Sequence, residues 1–434
     1  MRILVLSDTP WVDSNSFGNS FSNIFEGIDN IEVANIACRP GRPTSYLVKR
    51  YYQLSERSLL KNLKNKAHPS GAELDLTVQP EEAPADTNLK ARSFGQKRRW
   101  QILFWARDMI WRLGRWNSPQ LREFVDSFQP DIIFQPVYYS SYLNRIALFL
   151  KQYTGKPMLG YISDDCYTLR QFSLSPLYWI DRLLKRRYVK KTIEQCRILY
   201  VISDVQKREY EKLFTPPCKV LTKCAEFADT NKPACRQPGS VLKMVYAGNV
   251  SRGRYEILAE IAGAVKTLES AGIQYQLDIY TLTPMTEKQK AVLSGEHIAV
   301  HPPVSYAEIR KIQQDADILI HAEGFSLKER LAVHQSFSTK IVDYFETNRC
   351  VLAVGSDDCA SIQYFMKNGC GAVATSKEKI AQLLRQLAED KAQLQVYAEK
   401  AWQCGKTNHQ KAQMQKMIWQ DLCDTLENTQ KGGI

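Results

Sequence analysis

The sequence predicts an α/β chain with two Rossmann-like domains facing each other across a cleft. Short apolar runs that end at polar turns alternate with helical periodicities, the pattern of parallel strands joined by helices. This pattern runs in two series. Between them, Thr215 to Ser240 carries four prolines (Pro216, Pro217, Pro233 and Pro238) and little periodicity, as a linker does. A length of 434 residues gives each series enough chain for its own core. The expected division is 1–227 for the first domain, 228–240 for the linker, 241–404 for the second domain, and a closing helix over 405–434.

In the first series, Arg2 to Ser7 reads as a strand and Ile31 to Ala37 as the next. The loop Asp8 to Asn19 follows the first strand and is rich in Asp, Asn, Ser and Gly. Ligands bind beyond the carboxyl ends of strands in open α/β sheets. Asn15, Gly18 and Asn19 are therefore candidates for acceptor contacts, with a plain turn before Phe21, Ile24 and Phe25 as the alternative. Residues 66–96 hold three prolines and no sustained apolar period, so they read as a mobile insertion. Further strands are expected at Asp131 to Phe134, Pro157 to Ile162 and Arg197 to Ile202, with helices over Tyr142 to Tyr153 and Ser203 to Phe214. Pro157 to Ile162 runs into Ser163-Asp164-Asp165. Carboxylates there can accept a proton or bind sugar hydroxyls, and Asp164 is equally placed to cap the next helix.

Residues 96–116 are unusual in composition. Lys97, Arg98, Arg99, Arg107, Arg112 and Arg115 stand against one acid, Asp108, among Trp100, Trp105, Trp111 and Trp116. Two readings are open: a helix lying on an anionic membrane, or one whose aromatic side packs on the core. Asp181 to Lys191, with six basic residues, reads as a solvated or membrane-facing helix.

The second series opens with a strand over Val241 to Ala247, a loop Gly248 to Arg254 and a helix from Tyr255 to Leu268. Gly248 and Gly253 have P-loop spacing, but Arg254 and Tyr255 stand where that motif needs Lys and then Ser or Thr for magnesium. A metal-dependent phosphotransferase is thus disfavoured. The loop fits better as a glycine turn that brings backbone N–H groups, Asn249, Arg252 and Arg254 to a diphosphate, an ordinary strand-to-helix turn being the alternative. Strands follow at Tyr275 to Tyr280, His297 to His301, Ala316 to Ile320, Cys350 to Val354 and Gly371 to Ala374. His297 and His301 have no third ligand near in sequence, so no metal site is expected there.

The stretch His321 to Phe345 carries the chemistry. Ser338 and Thr339 precede a periodic segment, as helix caps do, and a helix N-terminus attracts phosphate. Lys340 adds a full positive charge in the first turn. Asp343, three residues on, shares its face, and Glu323 follows the strand that ends near His321. An anion seat beside hydroxyl-binding carboxylates suits a nucleotide sugar.

At these residues, HAE, SFSTKIVDYF and VLAVGSDDCASIQYFMKNGCGAVA resemble the donor half of bacterial glycosyltransferases similar to family 4. The opening MRILVLSDTPWVDSNSFGNSFSNIFEG and the later YAGNVSRGRYEIL resemble the same group, the likeness being weak between about residues 45 and 120. The resemblance implies a GT-B fold whose last helix crosses back to the first domain, and a hexosyltransferase-like, retaining enzyme of surface polysaccharide synthesis. The second domain would bind the nucleotide-sugar donor through His321, Glu323, Ser338, Thr339 and Asp343, and the first would hold a glycan or lipid-linked acceptor. Catalytic roles fall to Lys340, Arg254 and Asp164, with no metal and no cofactor besides the nucleotide sugar itself. That group often has two glutamates separated by seven residues; Gln335 and Asp343 stand at the matching positions here, leaving the sugar-binding role to Glu323.

A net charge of +12 calls for an anionic partner. No nucleic-acid-binding signature accompanies it, so a nucleotide and phospholipid are expected and nucleic acid is not. No apolar run reaches the roughly 18 residues of a membrane span. Only Ile3 to Leu6 is apolar near the start, so a signal peptide is not expected. Eleven scattered cysteines without a Cys-x-x-Cys pair fit reduced thiols. A cytoplasmic protein is expected, with peripheral contact at the inner face of the membrane through 96–116 as one of the two open readings of that segment. The competing class is a non-catalytic nucleotide-sugar or lipid-binding protein.

Overall fold

A computed structural model describes residues 1–77 and 101–431. The first sheet holds β1 (Arg2–Ser7), β2 (Glu32–Ala37), β3 (Val48–Leu54), β4 (Gly71–Glu73), β5 (Ile132–Pro136), β6 (Met158–Ile162), β7 (Cys196–Val201) and β8 (Cys218–Val220). Their order is β4-β3-β2-β1-β5-β6-β7-β8, parallel except for β4, which runs antiparallel to β3. The second sheet holds β9 (Leu242–Ala247), β10 (Tyr275–Tyr280), β11 (Ile298–His301), β12 (Ile318–Ala322), β13 (Cys350–Val354) and β14 (Ala372–Ala374). It is wholly parallel, in the order β11-β10-β9-β12-β13-β14.

The continuous apolar runs follow from this architecture, because helices cover both faces of parallel sheets. In β1, Leu4 and Leu6 enter one apolar layer with Phe124 and Ile146, while Ile3 and Val5 enter the other with Phe21 and Phe25. The second sheet likewise has one layer with Ile257 and Ile261 and another with Ile341 and Phe345.

The C-terminal helix crosses back to the first domain. The helix Ala392–Asn408 ends at His409, and the helix Lys411–Lys431 begins after Gln410. At the crossing, Ala225 N donates to His409 O (2.9 Å) and Lys411 N to Ala225 O (2.9 Å). Ile418 and Leu422, both fully buried, then join the layer that holds Phe25 and Leu221.

Two expectations change in the structure, and two segments left with open readings are placed by it. The first helix spans Ser16–Phe25 with Asn15 as its N-cap, so Gly18 and Asn19 belong to a helix instead of the loop. The insertion expected over 66–96 begins with ordered pairing, since Gly71–Glu73 is β4; residues 78–96 lie outside the described residues, as do Lys97, Arg98, Arg99 and Trp100. In the basic aromatic segment, the helix Gln101–Leu113 packs inward: Trp111 is fully buried and stacks on Tyr142 at 4.4 Å. Arg107 there is held by Glu56 (2.5 Å) and Asp8 (3.3 Å). Finally, the helix Pro176–Ile193 is not simply solvated, for Asp181, Arg182 and Lys185 are buried. Each of these charges is satisfied, as buried charges must be: Asp181 accepts from Trp105 Nε1 (3.0 Å), Tyr139 OH (2.9 Å) and Lys185 Nζ (3.0 Å), and Arg182 Nη2 donates to Thr168 O (2.7 Å).

Candidate functional site

The strand order of each sheet reverses once, between β1 and β5 and between β9 and β12, and such switch points open a crevice. The two crevices face each other across a cleft of about 840 Å³. The first domain contributes Asn15, Phe17, Tyr139, Asp164 and Asp165 to its walls, and the second Arg252, Arg254, Glu323, Ser338 and Thr339. The structure thus gathers eight of the expected site residues in one place.

On the donor side, the loop after β9 and the residues after β12 form a charged cluster. Arg254 opens the helix Arg254–Glu269 and is tied on three sides: Nε donates to Ala322 O (3.1 Å), Nη1 to Asn249 Oδ1 (2.9 Å) and Nη2 to Glu323 Oε2 (2.9 Å). Asn249 therefore orients Arg254, and Ser251 Oγ donates to the same Asn249 oxygen (2.9 Å). Glu323 is buried; loss of solvent raises its pKa, and Arg254 offsets this only in part. His321 sits behind Glu323 and does not line the cleft. Its Nε2 lies 3.0 Å from Ser361 Oγ and 3.7 Å from Glu323 Oε1, and burial lowers its pKa to about 3, so it is a neutral support for Glu323.

Lys340 Nζ donates to Ala247 O (2.9 Å) and lies over Gly248, where a Cβ would collide with the ammonium. Gly248 thus makes room for the Lys340 ammonium, and its own N–H donates to Tyr280 O (2.9 Å). Desolvation by the surrounding protein and then the neighbouring Arg254 lower the Lys340 pKa, although the side chain keeps access to solvent. Arg252 has φ +57°, forms no side-chain hydrogen bond or ion pair among the described residues, and lines the cleft. Two cations beside a third, with one carboxylate among them, leave an excess of positive charge.

The helix after Ser338 and Thr339 differs from the expectation. It is the seven-residue Lys340–Glu346, its N-cap Thr339 is itself in the helical region, and no side chain caps it. The positive charge here therefore comes from the side chains of Arg252, Arg254 and Lys340 more than from a helix terminus. Asp343 does not reach the cleft. It accepts from Lys223 Nζ (2.6 Å) and, with Asn19, lines a neighbouring interdomain cavity of about 640 Å³.

Across the cleft the two aspartates have different tasks. Asp165 accepts from Tyr167 N (3.0 Å), Thr168 N (2.8 Å) and Tyr210 OH (3.2 Å), and pairs with Arg182 at 3.3 Å, so it shapes its own loop and is not open to an acceptor. Asp164 is exposed and makes no side-chain hydrogen bond among the described residues. It caps nothing and stands in the cleft. Asn15 is engaged as an N-cap: Gly18 N donates to its Oδ1 (2.7 Å), and its Nδ2 donates to Pro10 O (3.0 Å).

Tyr138, Tyr139 and Tyr178 line the cleft and were not among the expected residues. The first two follow β5 directly, so the rule that flagged the loop after β1 would have found them. The Gln335 position is also accounted for. Gln335 is buried and its Nε2 donates to Glu209 Oε2 of the first domain (2.5 Å), while its main-chain O accepts from Ser203 Oγ (2.6 Å). It joins the domains and is not directed at the cleft. His297, expected to lack a third ligand, lies with Glu269 and Glu296, ligand atoms within 4.8 Å of one another. This group is at the far end of the helix Arg254–Glu269, about 20 Å along its axis from the cleft.

No protein-family model matches the sequence, and no curated protein does either. Solved structures do share the fold. Sucrose-phosphate synthase from Thermosynechococcus elongatus superposes with a TM-score of 0.64 at 10% identity, over 99% of this chain and 100% of that one. Anabaena HepE in complex with UDP gives 0.61 at 12% identity, over 98% and 100%. A UDP-forming α,α-trehalose-phosphate synthase from Burkholderia vietnamiensis gives 0.58 at 10% identity, over 98% and 100%. With the two facing sheets and the returning helix, these likenesses show a GT-B fold.

Proposed function

We propose that this protein is a glycosyltransferase that moves a sugar from a nucleoside-diphosphate sugar to a hydroxyl of a glycan or lipid-linked acceptor. The observation that carries the reading is the juxtaposition across one cleft of two cations, Arg252 and Arg254, with the carboxylate of Asp164, while Lys340 stands beside Arg254, held by Ala247 O. The cations seat a diphosphate, and as the bond from the anomeric carbon to the phosphate oxygen breaks, they stabilise the charge that develops there. Asp164 faces the reacting centre from the acceptor side, where it can hold a hydroxyl or accept its proton. Glu323, fixed by Arg254 and His321, is the carboxylate for the donor sugar. The fold neighbours support this donor class: HepE was solved with UDP and with UDP and glucose, and the trehalose-phosphate synthase is UDP-forming. The sequence resemblance supports retention of configuration and a role in surface polysaccharide synthesis, and eleven scattered cysteines without a Cys-x-x-Cys pair fit a cytoplasmic location.

The test is a panel of UDP, GDP and ADP sugars, read first by thermal shift and then by nucleotide release with acceptor glycans. Release with at least one donor is expected. A thermal shift without release across acceptors would favour a non-catalytic nucleotide-sugar-binding protein. Because side-chain cations occupy the diphosphate seat, EDTA is expected to leave turnover largely intact; abolition by EDTA with rescue by magnesium or manganese would count against that part.

A further inference from the structure

The helix Pro176–Ile193 is inverted relative to a helix that packs on a core and faces water. Its charged residues Asp181, Arg182 and Lys185 point inward, whereas Leu177, Ile180, Leu183 and Leu184 are between 40% and 48% exposed. Leu177, Ile180 and Leu184 lie at spacings of three and four and so share one face. The preceding loop adds Phe172 and Leu174, the latter 90% exposed. The adjoining helix Gln101–Leu113, tied to the first by the Trp105–Asp181 hydrogen bond (3.0 Å) and the Asp108–Lys185 ion pair (3.7 Å), adds exposed Phe104 and Met109. Single exposed apolar residues need no explanation, but a run on adjoining elements marks a surface that something covers.

We infer that this face docks on an anionic lipid bilayer. Charge selects that occupant over a second copy of the chain. Along the helix the apolar face passes into exposed Arg187, Lys190 and Lys191. A two-fold dimer built on this face would set these cations either against one another or against the copy's apolar patch, and neither neutralises them, whereas anionic headgroups do. Binding is peripheral: among the described residues, no helix is long and apolar enough to cross a membrane. The same helix also presents Tyr178 and Arg182 to the cleft. Docking by the outer face therefore brings the acceptor side of the cleft, on the helix's inner face, within about one helix diameter of the bilayer, within reach of a lipid-anchored acceptor. That last step rests on the glycosyltransferase reading; the docking does not.

The test is co-sedimentation of the full chain, without donor, with vesicles of phosphatidylcholine alone or of equimolar phosphatidylcholine and phosphatidylglycerol. Binding to the phosphatidylglycerol vesicles is expected, weakening as salt rises. Replacing Leu177, Ile180 and Leu184 together by Gln should lower partitioning by about tenfold or more, with the melting temperature unchanged because the side chains are exposed. Arg187→Gln, Lys190→Gln and Lys191→Gln together should remove the preference for phosphatidylglycerol. Wild-type protein that stays in the supernatant at low salt overturns the inference. So does a concentration-dependent dimer by light scattering that the Gln triple variant abolishes while vesicles remain unbound. Neither result touches nucleotide release, so a failure here is separable from a failure of the glycosyltransferase reading.

Discussion

Lys340 shows how one side chain's position depends on another residue's lack of one. Its ammonium occupies the space that a Cβ at Gly248 would fill, which holds it beside Arg254. Lys340→Ala should lower turnover by on the order of 100-fold or more, as loss of a transition-state charge partner does, with an unchanged melting temperature; activity within a few-fold of wild type would sink the diphosphate assignment. His409 concerns stability instead. Its Nδ1 lies 2.9 Å from Thr222 Oγ1 and its Nε2 2.8 Å from Tyr364 OH, and burial lowers its pKa from 6.5 to about 4. Between those values the unfolded chain takes up a proton that the folded chain refuses. Its contribution to stability is therefore complete above about pH 6.5 and is lost as pH falls toward 4, at on the order of 1 kcal/mol per pH unit. His409→Gln should flatten the fall in melting temperature over that window, and a variant whose curve runs parallel to wild type would refute the point.

Among elements, the contact between the helix Asp204–Tyr210 and the turn around Gln335 is where the domains meet beside the cleft. Glu209 accepts from Gln335 Nε2 (2.5 Å) and lies 2.9 Å from His334 Nε2, and Arg170 pairs with the same carboxylate. A glutamate at 335 would set two carboxylates together there. Gln335→Glu should thus loosen the interdomain contact, and Glu209→Gln on top of it should restore the loss, with a coupling of about 1 kcal/mol or more in a double-mutant cycle; additive effects would show that the two side chains do not interact. This contact was not legible in the sequence, because Gln335 and Glu209 are 126 residues apart. The strands were legible, because burial on both faces leaves an uninterrupted apolar run, as in Ile132–Pro136 or Cys350–Val354. Val48–Leu54 was not: it carries Lys49 and Arg50 and pairs with the short edge strand β4, so it shows no such run. Charge runs were only partly legible for a related reason. The basic run of Pro176–Ile193 suggested a solvated or membrane-facing helix, and the burial of Asp181 and Lys185 was not legible because Trp105 and Tyr139, which bond Asp181, come from elsewhere in the chain. The charge of the loop after β9 was legible as Arg252 and Arg254, while the orienting bond from Arg254 to Asn249 had no sequence signal.

At the scale of the whole molecule, the cleft exists because two sheets turn their switch points toward each other, and the returning helix helps hold them in register. That helix belongs to the end of the chain but not to the second domain's core. Ile418 and Leu422 fill the layer of Phe25 and Leu221, Tyr200 OH donates to Asp421 Oδ2 (2.8 Å), and Gln415 Nε2 donates to Glu26 O (2.5 Å). A cavity at Leu422 should therefore weaken the first sheet, although the mutation lies beyond the second. Leu422→Ala in a fully buried site costs about 2–5 kcal/mol. Amide exchange should quicken in β1, β2 and β5, which border that layer, and remain near wild type in β9, β12 and β13. Local opening free energies resolve such a difference, since exchange reports each cooperative unit separately. Equal acceleration in both sheets would mean that the domains unfold as one unit, and acceleration confined to the second sheet would contradict the packing of the returning helix on the first.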